Sequence, residues 1–129
     1  MPREIIQPPE TWDPRPRFAQ VTRVGNQIYI SGQTSVDTDG NVVGRGDIRV
    51  QAKQVFRNLE KSLSAAGATF DHVVKLNVYS TDLDAHLPAI RELREAYFPR
   101  EPVASTTLQV ARLVHPDWLL EIEAVAVLD

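Results

Sequence analysis

The most apolar stretch of the chain has the alternation of a strand and lies near the C-terminal end. Between residues 118 and 127 only Glu121 and Glu123 interrupt the apolar positions. Side chains of a strand point alternately to its two faces, so both carboxylates share one face and the opposite face is wholly apolar. The pattern predicts a central strand that is covered on both sides, with two carboxylates that either line a site or meet polar partners.

Other β-rich runs predict the rest of a sheet. Residues 18–24 and Gln27–Gln33 flank a Gly-Asn pair, which has the chemistry of a tight hairpin turn. Val73–Ser80 is β-branched and alternating, and residues 105–113 form a further predicted strand. The closing strand completes a sheet whose members are separated by two helical segments.

The N-terminal residues 1–17 contain five of the nine prolines. Proline fixes φ and lacks a donor, so we expect an extended or looping arm, in which residues 3–6 suit a short edge strand. No flexible linker follows the arm. We therefore assign it to one domain that spans residues 1–129.

An amphipathic helix is predicted after Asp47, whose side chain suits an N-cap, and Gly67 stands where the helix should end. Its apolar residues recur at spacings of three and four along one face: Ile48, Ala52, Val55, Phe56, Leu59, Leu63 and Ala66.

A second helix is predicted after Asp82 or Asp84, with Pro88 in its first turns and Pro99 and Pro102 at its end. Its inward-facing residues are Leu83, Leu87, Ile90, Leu93 and Tyr97.

The predicted order of elements is therefore ββ-α-β-α-ββ, an α+β fold with a mixed sheet and both helices on one face. The second face of the closing strand would expose apolar surface in a monomer. We expect this face to be buried against other copies of the chain.

Composition excludes several classes of function. The net charge is −3 and the pI about 5.6, which argues against a nucleic-acid partner. There is no cysteine, so disulfides, thiolate catalysis and cysteine-bound metals are excluded. His72, His86 and His115 lack the spacing of metal ligands, and we expect no metal site. No apolar run reaches the ~18 residues of a membrane span, so we expect no membrane partner and a cytoplasmic protein.

The acidic pair is the remaining candidate for chemistry. Glu121 and Glu123 can form structural ion pairs with basic neighbours across the sheet or at a subunit contact. Alternatively, one of them is a general acid or base in a crevice between subunits, where partial burial moves its pKa towards neutrality.

Several motifs together resemble the YjgF/RidA family of reactive intermediate deaminases, also described as endoribonuclease L-PSP. The matching segments, in chain order, are Ile-Tyr-Ile-Ser-Gly-Gln at 28–33, Asn-Leu at 58–59, Ala-Ala-Gly-Ala at 65–68, Val-Val-Lys-Leu at 73–76 and Glu-Ile-Glu-Ala-Val-Ala at 121–126. The resemblance implies a chorismate-mutase-like fold and a homotrimer with a central barrel. It also implies small-molecule ligand clefts between subunits, and hydrolysis of 2-enamines or 2-imines to 2-keto acids and ammonia without a cofactor.

The resemblance also assigns residues to this cleft. It implies that Glu121 positions the attacking water and that the backbone at Ser31 and Gly32 meets the ligand. Phe18 stands where the family usually has tyrosine near the cleft. Two further substrate-binding positions are Arg91, where many members have asparagine, and Thr107, which is often cysteine.

Ser105 is the main departure from the family pattern. It stands at the position where the deaminases have an arginine that grips the substrate carboxylate, and serine has neither the charge nor the two-pronged donor group. The substitution indicates a subfamily for which standard 2-iminopropionate deamination is not expected, unless Arg91 or Arg17 replaces the lost charge. Two functions stay open: a deaminase for a related imine or enamine, and a non-catalytic metabolite-binding or regulatory trimer. Ribonuclease activity is disfavoured by the acidic pI and the lack of a basic groove.

Overall fold

Six strands form one mixed sheet in the order β1-β2-β3-β6-β4-β5. In the computed structural model, which describes residues 2–98 and 102–129, only β4 and β5 pair in parallel. The elements are β1 Glu4–Ile6, β2 Val21–Val24, β3 Gln27–Gln33, α1 Ile48–Ala65, β4 Val73–Ser80, α2 Leu83–Tyr97, β5 Ala104–Gln109 and β6 Leu120–Val127, with a 3₁₀ turn at Phe70–His72. This is the predicted mixed α+β architecture with two helices, extended by the predicted edge strand β1.

Strand β6 lies in the middle of the sheet, between β3 and β4 and antiparallel to both. Its residues alternate along its whole length between buried and half-buried. Leu120 and Ile122 are fully buried, whereas Glu121 and Glu123 on the other face are half-buried. The predicted central position and the predicted separation of the two faces are both confirmed.

The two helices begin where their caps predict. The side chain of Asp47 accepts a hydrogen bond from the Val50 amide, and that of Asp82 accepts one from Ala85. Gly67, with φ of 79°, follows the end of α1 in the left-handed conformation that suits glycine. Helix α1 packs on β3 and β6, and α2 packs on α1 and β4. Among the described residues, no helix has the length and apolar character needed to cross a membrane.

Helix α2 contains Pro88 as its sixth residue, within its first two turns, as predicted. Proline there removes the hydrogen bond to the carbonyl of Asp84. Both residues are exposed, so water can satisfy that carbonyl. The predicted stop at Pro99 lies outside the described residues.

Three predicted strands, β2, β5 and β6, are shorter in the structure than their sequence patterns suggested. Strand β2 begins at Val21 and not at residue 18, and β5 ends at Gln109 and not at residue 113. Its neighbour β4 ends at Ser80, whose carbonyl accepts the last bond from Val110. Beyond this point the chain has no strand to pair with.

The closing strand begins at Leu120, two residues later than predicted. Before Leu120, hydrogen bonds to a side chain of α1 take the place of hydrogen bonds between strands. The fully buried amide of Gln51 donates to the Asp117 carbonyl and accepts from the Leu119 amide, both at 2.9 Å. Trp118 therefore lies in a turn that its own amide closes onto the His115 carbonyl at 3.1 Å.

The second face of the sheet is more polar than β6 alone suggested. Neighbouring strands contribute polar side chains to a hollow of about 300 Å³ on this face, and Tyr29 there is 43% exposed. The residues that line the hollow are Thr22, Tyr29, Ile30, Ser31, Lys75, Asn77, Glu123, Ala124 and Val125. The apolar surface inferred from β6 alone is thus interrupted by polar side chains of the neighbouring strands.

Asn58 on α1 fixes the loop that follows β3, and its removal should destabilise the fold. Its buried amide donates to the carbonyls of Thr34 and Val36, both at 3.0 Å. We expect Asn58→Ala to lower the free energy of unfolding by about 2–4 kcal/mol, because two buried carbonyls lose their donor. Chemical denaturation at one protein concentration measures the change.

The matched control is Arg57→Ala, at an exposed position one residue earlier on the same helix. It should stay within about 0.5 kcal/mol of the wild type. Equal losses in the two variants would contradict the role assigned to Asn58.

Candidate functional site

The Glu121 side chain borders a cavity of about 150 Å³ at the end of the sheet where β3 ends and β6 begins. Two other positions singled out in the sequence, Phe18 and Gly32, border the same cavity. The remaining lining residues are Trp12, Arg17, Gln20, Gln33, Thr34, Val36, Val114 and Trp118. We call this space the Glu121 cavity.

Gly32 lies against the carboxyl of Glu121. A Cβ atom added at Gly32 would stand 2.6 Å from Cδ and 2.9 Å from Oε2 of Glu121, which is closer than non-bonded atoms approach. A side chain at position 32 would therefore have to displace the Glu121 carboxyl from its present place. The contact places the carboxyl directly against the backbone of β3.

The electrostatic state of Glu121 follows from its partial burial. Burial in the first place, and repulsion from the Glu123 carboxylate in the second, raise the pKa of the Glu121 carboxyl above its ordinary value. Within the described part of the chain, no side chain or amide donates a hydrogen bond to the Glu121 carboxyl. The carboxyl is therefore free to bond water or a ligand, and its raised pKa favours proton exchange closer to neutral pH.

Glu123 has a different environment, although it lies on the same face of the same strand. Its Oε1 accepts hydrogen bonds from Asn77 Nδ2 at 3.0 Å and from the Tyr79 hydroxyl at 2.7 Å. The bond to Glu123 is the main cause that raises the pKa of the Tyr79 phenol. These partners are neutral, whereas basic neighbours were one expectation from the sequence. Glu123 is thus held by two side-chain hydrogen bonds, whereas the Glu121 carboxyl borders a cavity and has a raised pKa.

The N-terminal arm supplies aromatic surface to the Glu121 cavity. Trp12 contacts Phe18 edge-to-face at 6.1 Å between ring centroids, and the Arg17 guanidinium lies 5.9 Å from the Trp12 ring centre. A buried amide pair connects the arm to β3, since Gln33 donates to Gln20 at 2.8 Å and Gln20 donates to the Trp12 carbonyl at 3.2 Å. The arm is therefore part of this site.

Arg91, Ser105 and Thr107 lie together in a second cavity, of about 280 Å³, between α2 and the edge strand β5. Val78, Leu87, Ile90 and Arg94 complete its lining. The Arg94 guanidinium donates to the Ser105 hydroxyl, with 3.0 Å between Nη1 and Oγ. We call this space the arginine cavity.

The residues that the sequence grouped into one cleft thus form two groups in a single chain. Ser105 and Thr107 are register partners of Leu76 and Val78, which are fully buried on the helical side of the sheet. Glu121 is the register partner of Tyr79, on the other side. The two cavities therefore open on opposite sides of the sheet.

Ser31 and Arg17 also have definite places. The Ser31 hydroxyl donates to the Ala19 carbonyl at 2.6 Å and borders the hollow on the second face, so its side chain is not part of the Glu121 cavity. Arg17 borders the Glu121 cavity and is not part of the arginine cavity. Among residues 2–98 and 102–129, no cluster of three or more histidine, aspartate or glutamate residues could hold a metal ion.

The family model described as endoribonuclease L-PSP matches residues 9–128 of the chain. The chain belongs to this family. It is the YjgF/RidA family that the motifs indicated, so the predicted membership is confirmed.

Named relatives of the family match over nearly the full chain. A 3-aminoacrylate deaminase RutC from Acinetobacter baylyi is 36% identical over 126 residues, 98% of each chain. A 2-iminobutanoate/2-iminopropanoate deaminase from Dermatophagoides farinae is 32% identical over 128 residues, 99% of this chain and 98% of that protein. Among solved structures, RidA from a Psychrobacter species superimposes with a TM-score of 0.87 at 32% identity, covering 97% of this chain and 99% of that one. Yeast Mmf1 gives a TM-score of 0.91 at 25% identity, covering 99% of this chain and 100% of that one.

Two residues that border the cavities, Arg94 and Trp118, were not identified from the sequence. Arg94 follows Arg91 by three positions, and residues three apart on a helix share a face, so this spacing could have indicated it. Trp118 borders the Glu121 cavity, and its buried indole nitrogen has no hydrogen-bond partner among the described residues. Its position in a turn was hidden by the apolar pattern, which extended the strand through it.

Replacement of Glu121 by glutamine should change the pH dependence of stability. The raised pKa means that the folded protein favours the protonated carboxyl. Stability from this group is therefore full below the ordinary glutamate pKa and is lost as pH rises through the raised value. Glutamine resembles the protonated form. We expect Glu121→Gln to unfold at higher denaturant than the wild type at about pH 8, with the difference disappearing at about pH 4.

Denaturant titrations at the two pH values check this expectation. Glu60→Gln, at an exposed position on α1, reports the effect of removing one surface charge. An equally large difference between the two pH values for Glu60→Gln would contradict the assignment to Glu121.

Proposed function

We propose that this protein hydrolyses 2-imine or 2-enamine metabolites to a carbonyl product and ammonia. The observation that carries the proposal is the Glu121 carboxyl, which is half-buried beside a cavity, has a raised pKa, and packs on the backbone at Gly32. The two relatives named as deaminases of 3-aminoacrylate and of 2-iminobutanoate/2-iminopropanoate support the same chemistry. Such a reaction needs water, an oriented substrate and one group that moves protons.

Glu121 can supply the proton transfers of this hydrolysis. As a carboxylate it orients water towards the C=N carbon of a protonated imine and accepts the proton that the water loses as the C–O bond forms. The protonated carboxyl then donates to the nitrogen of the carbinolamine. The C–N bond breaks, ammonia leaves, and the hydroxyl proton is released as the C=O bond forms. An enamine reaches the same imine by protonation on carbon. A carboxyl with a raised pKa suits both directions of transfer near neutral pH.

The Glu121 cavity and the arginine cavity would serve one substrate only if they came from two copies of the chain, since they open on opposite sides of one sheet. We therefore include a homotrimer with a central barrel, in the chorismate-mutase-like arrangement, in the proposal. Exposed apolar residues lie beside the Glu121 cavity and on the edge strand β5. Val114, which borders the Glu121 cavity, is 84% exposed, and Leu108 on the edge strand β5 is 48% exposed.

Keto-acid release from an amino-acid dehydratase tests the catalytic part of this proposal. We expect the wild-type protein to accelerate conversion of the released imine, and Glu121→Gln to lower kcat/KM by about 10²-fold or more, the range for loss of a general acid–base group. The matched control is Glu123→Gln, on the same strand, which keeps an oxygen for Tyr79 and should stay within a few-fold of wild type. If the wild type binds a keto acid without accelerating imine hydrolysis, the protein is a metabolite-binding trimer instead.

Light scattering tests the proposed assembly. The expected mass is that of three chains of 14.5 kDa each. Val114→Glu, which places a charge at the most exposed large apolar residue of the described chain, should shift the mass towards the monomer and lower activity in parallel. A wild-type monomer at micromolar concentration would overturn the assembly and, with it, the shared site.

A further inference from the structure

Helix α1 carries a line of cations along its outer side. Basic residues recur at every fourth position, and Glu60 is the one acidic residue of the helix. The basic residues are Arg49, Lys53, Arg57 and Lys61. The first three are exposed and the last is half-buried. Because the whole chain has a net charge of −3, this helix opposes the charge of the rest of the molecule.

The positions of these cations do not stabilise the helix. A helix favours acidic residues in its first turn and basic residues in its last turn, and α1 has neither. Residues four apart are neighbours on a helix surface, where like charges destabilise the helix. The line of cations is therefore unfavourable for α1 itself, and a partner of opposite charge would give it a purpose.

Two of the exposed cations have no ionic partner within the described chain. Arg49 forms a salt bridge with Glu92 of α2. Lys53 and Arg57 are exposed and form no salt bridge among the described residues, although Glu60 lies three positions beyond Arg57. Both charges are thus available to another molecule.

An exposed apolar side chain lies among these cations. Val50 is 41% exposed, and it precedes Lys53 by three positions and Arg57 by seven, which places the three on one face of the helix. Val50 packs against the preceding loop, since a Cβ added at Gly44 would lie 2.5 Å from Val50 Cγ1. An apolar contact with a charged rim is the usual composition of a protein interface. We call Arg49, Val50, Lys53 and Arg57 the α1 surface.

We propose that the α1 surface docks an acidic helical segment of another protein, with an apolar side chain of the partner on Val50 and carboxylates on Lys53 and Arg57. Carboxylates four residues apart on a helix repeat at the same spacing as these cations, so the charges of the two helices match. A nucleic acid fits less well, because the α1 surface contains no aromatic side chain on which a base could stack.

The place of α1 in the fold leaves this surface accessible. The helix packs on β3 and β6 from the helical side of the sheet. The assembly proposed above covers the opposite face of the sheet. Docking on α1 is therefore compatible with that assembly, and it does not depend on the proposed hydrolysis.

Binding of a synthetic acidic peptide tests the α1 surface. The probe is a fluorescent peptide of about four helical turns, with glutamate at every fourth residue and leucine on the same face. A second peptide has glutamine in place of each glutamate. Fluorescence anisotropy should show that the wild type binds the glutamate peptide and not the glutamine peptide. Because exposed charges are screened by salt, the affinity should fall about tenfold between about 50 mM and about 500 mM salt.

Substitutions on the surface locate the binding. Lys53→Glu should weaken binding of the glutamate peptide by about tenfold, because an attraction becomes a repulsion. Arg3→Glu, at an exposed position outside α1, makes the same change in net charge and should bind as the wild type does. Val50→Ser leaves every charge in place and should weaken binding about threefold through loss of apolar contact. Equal losses in Lys53→Glu and Arg3→Glu would show that binding follows net charge, and would overturn the proposal.

The variant Lys53→Gln separates docking from a role in folding. Lysine and glutamine have similar helix propensities, and the change relieves repulsion from Arg49 and Arg57. We expect Lys53→Gln to unfold at slightly higher denaturant than the wild type and to bind the glutamate peptide more weakly. A lower unfolding midpoint would overturn the inference, because Lys53 would then serve the fold itself. Failure of the wild type to bind the glutamate peptide, or tighter binding of a uridine RNA of equal charge, would also overturn it.

Discussion

The alternation of β6 is the constraint on which both the fold and the candidate site depend. This strand lies in the centre of the sheet, and every second residue packs into the core beneath α1. The register of the strand is fixed by its buried residues, which are Leu120, Ile122, Ala124 and Ala126. Glu121 and Glu123 must therefore lie on the opposite face. A shift by one residue would bury two carboxyl groups in an apolar core, at a cost comparable with the whole stability of a domain of this size.

That register gives the two carboxylates different neighbours and therefore different chemistry. Glu123 lies opposite Asn77, and its oxygen is satisfied by Asn77 and Tyr79. Glu121 lies at the end of the strand beside Gly32, where no donor of the described chain reaches it and burial raises its pKa. Two identical side chains on one strand thus differ in hydrogen bonding and in pKa through local packing alone.

Much of this fold could be predicted because its signals are local. The caps Asp47 and Asp82 and the alternation of β6 each act within a few residues, and the structure agrees with them. The start of β6 could not be predicted, since it depends on Gln51, which reaches across from α1 to take the place of ladder bonds. The division of the candidate site residues between two sides of the sheet was also hidden, because it follows from pairing between β4 and β5.

Arg94 shows why a site cannot be judged from one aligned position. The contacts of a guanidinium depend on where it lies and how it is oriented, and the chain offers several backbone positions from which a long side chain can reach one place. Helix α2 packs beside β4, and β5 pairs with β4, so Arg94 comes within 3.0 Å of the hydroxyl at position 105. A small residue on the strand is then a requirement for this geometry, because a long side chain at position 105 would compete for the space that the Arg94 guanidinium enters. Serine fulfils the requirement, and its hydroxyl accepts the hydrogen bond from the Arg94 guanidinium.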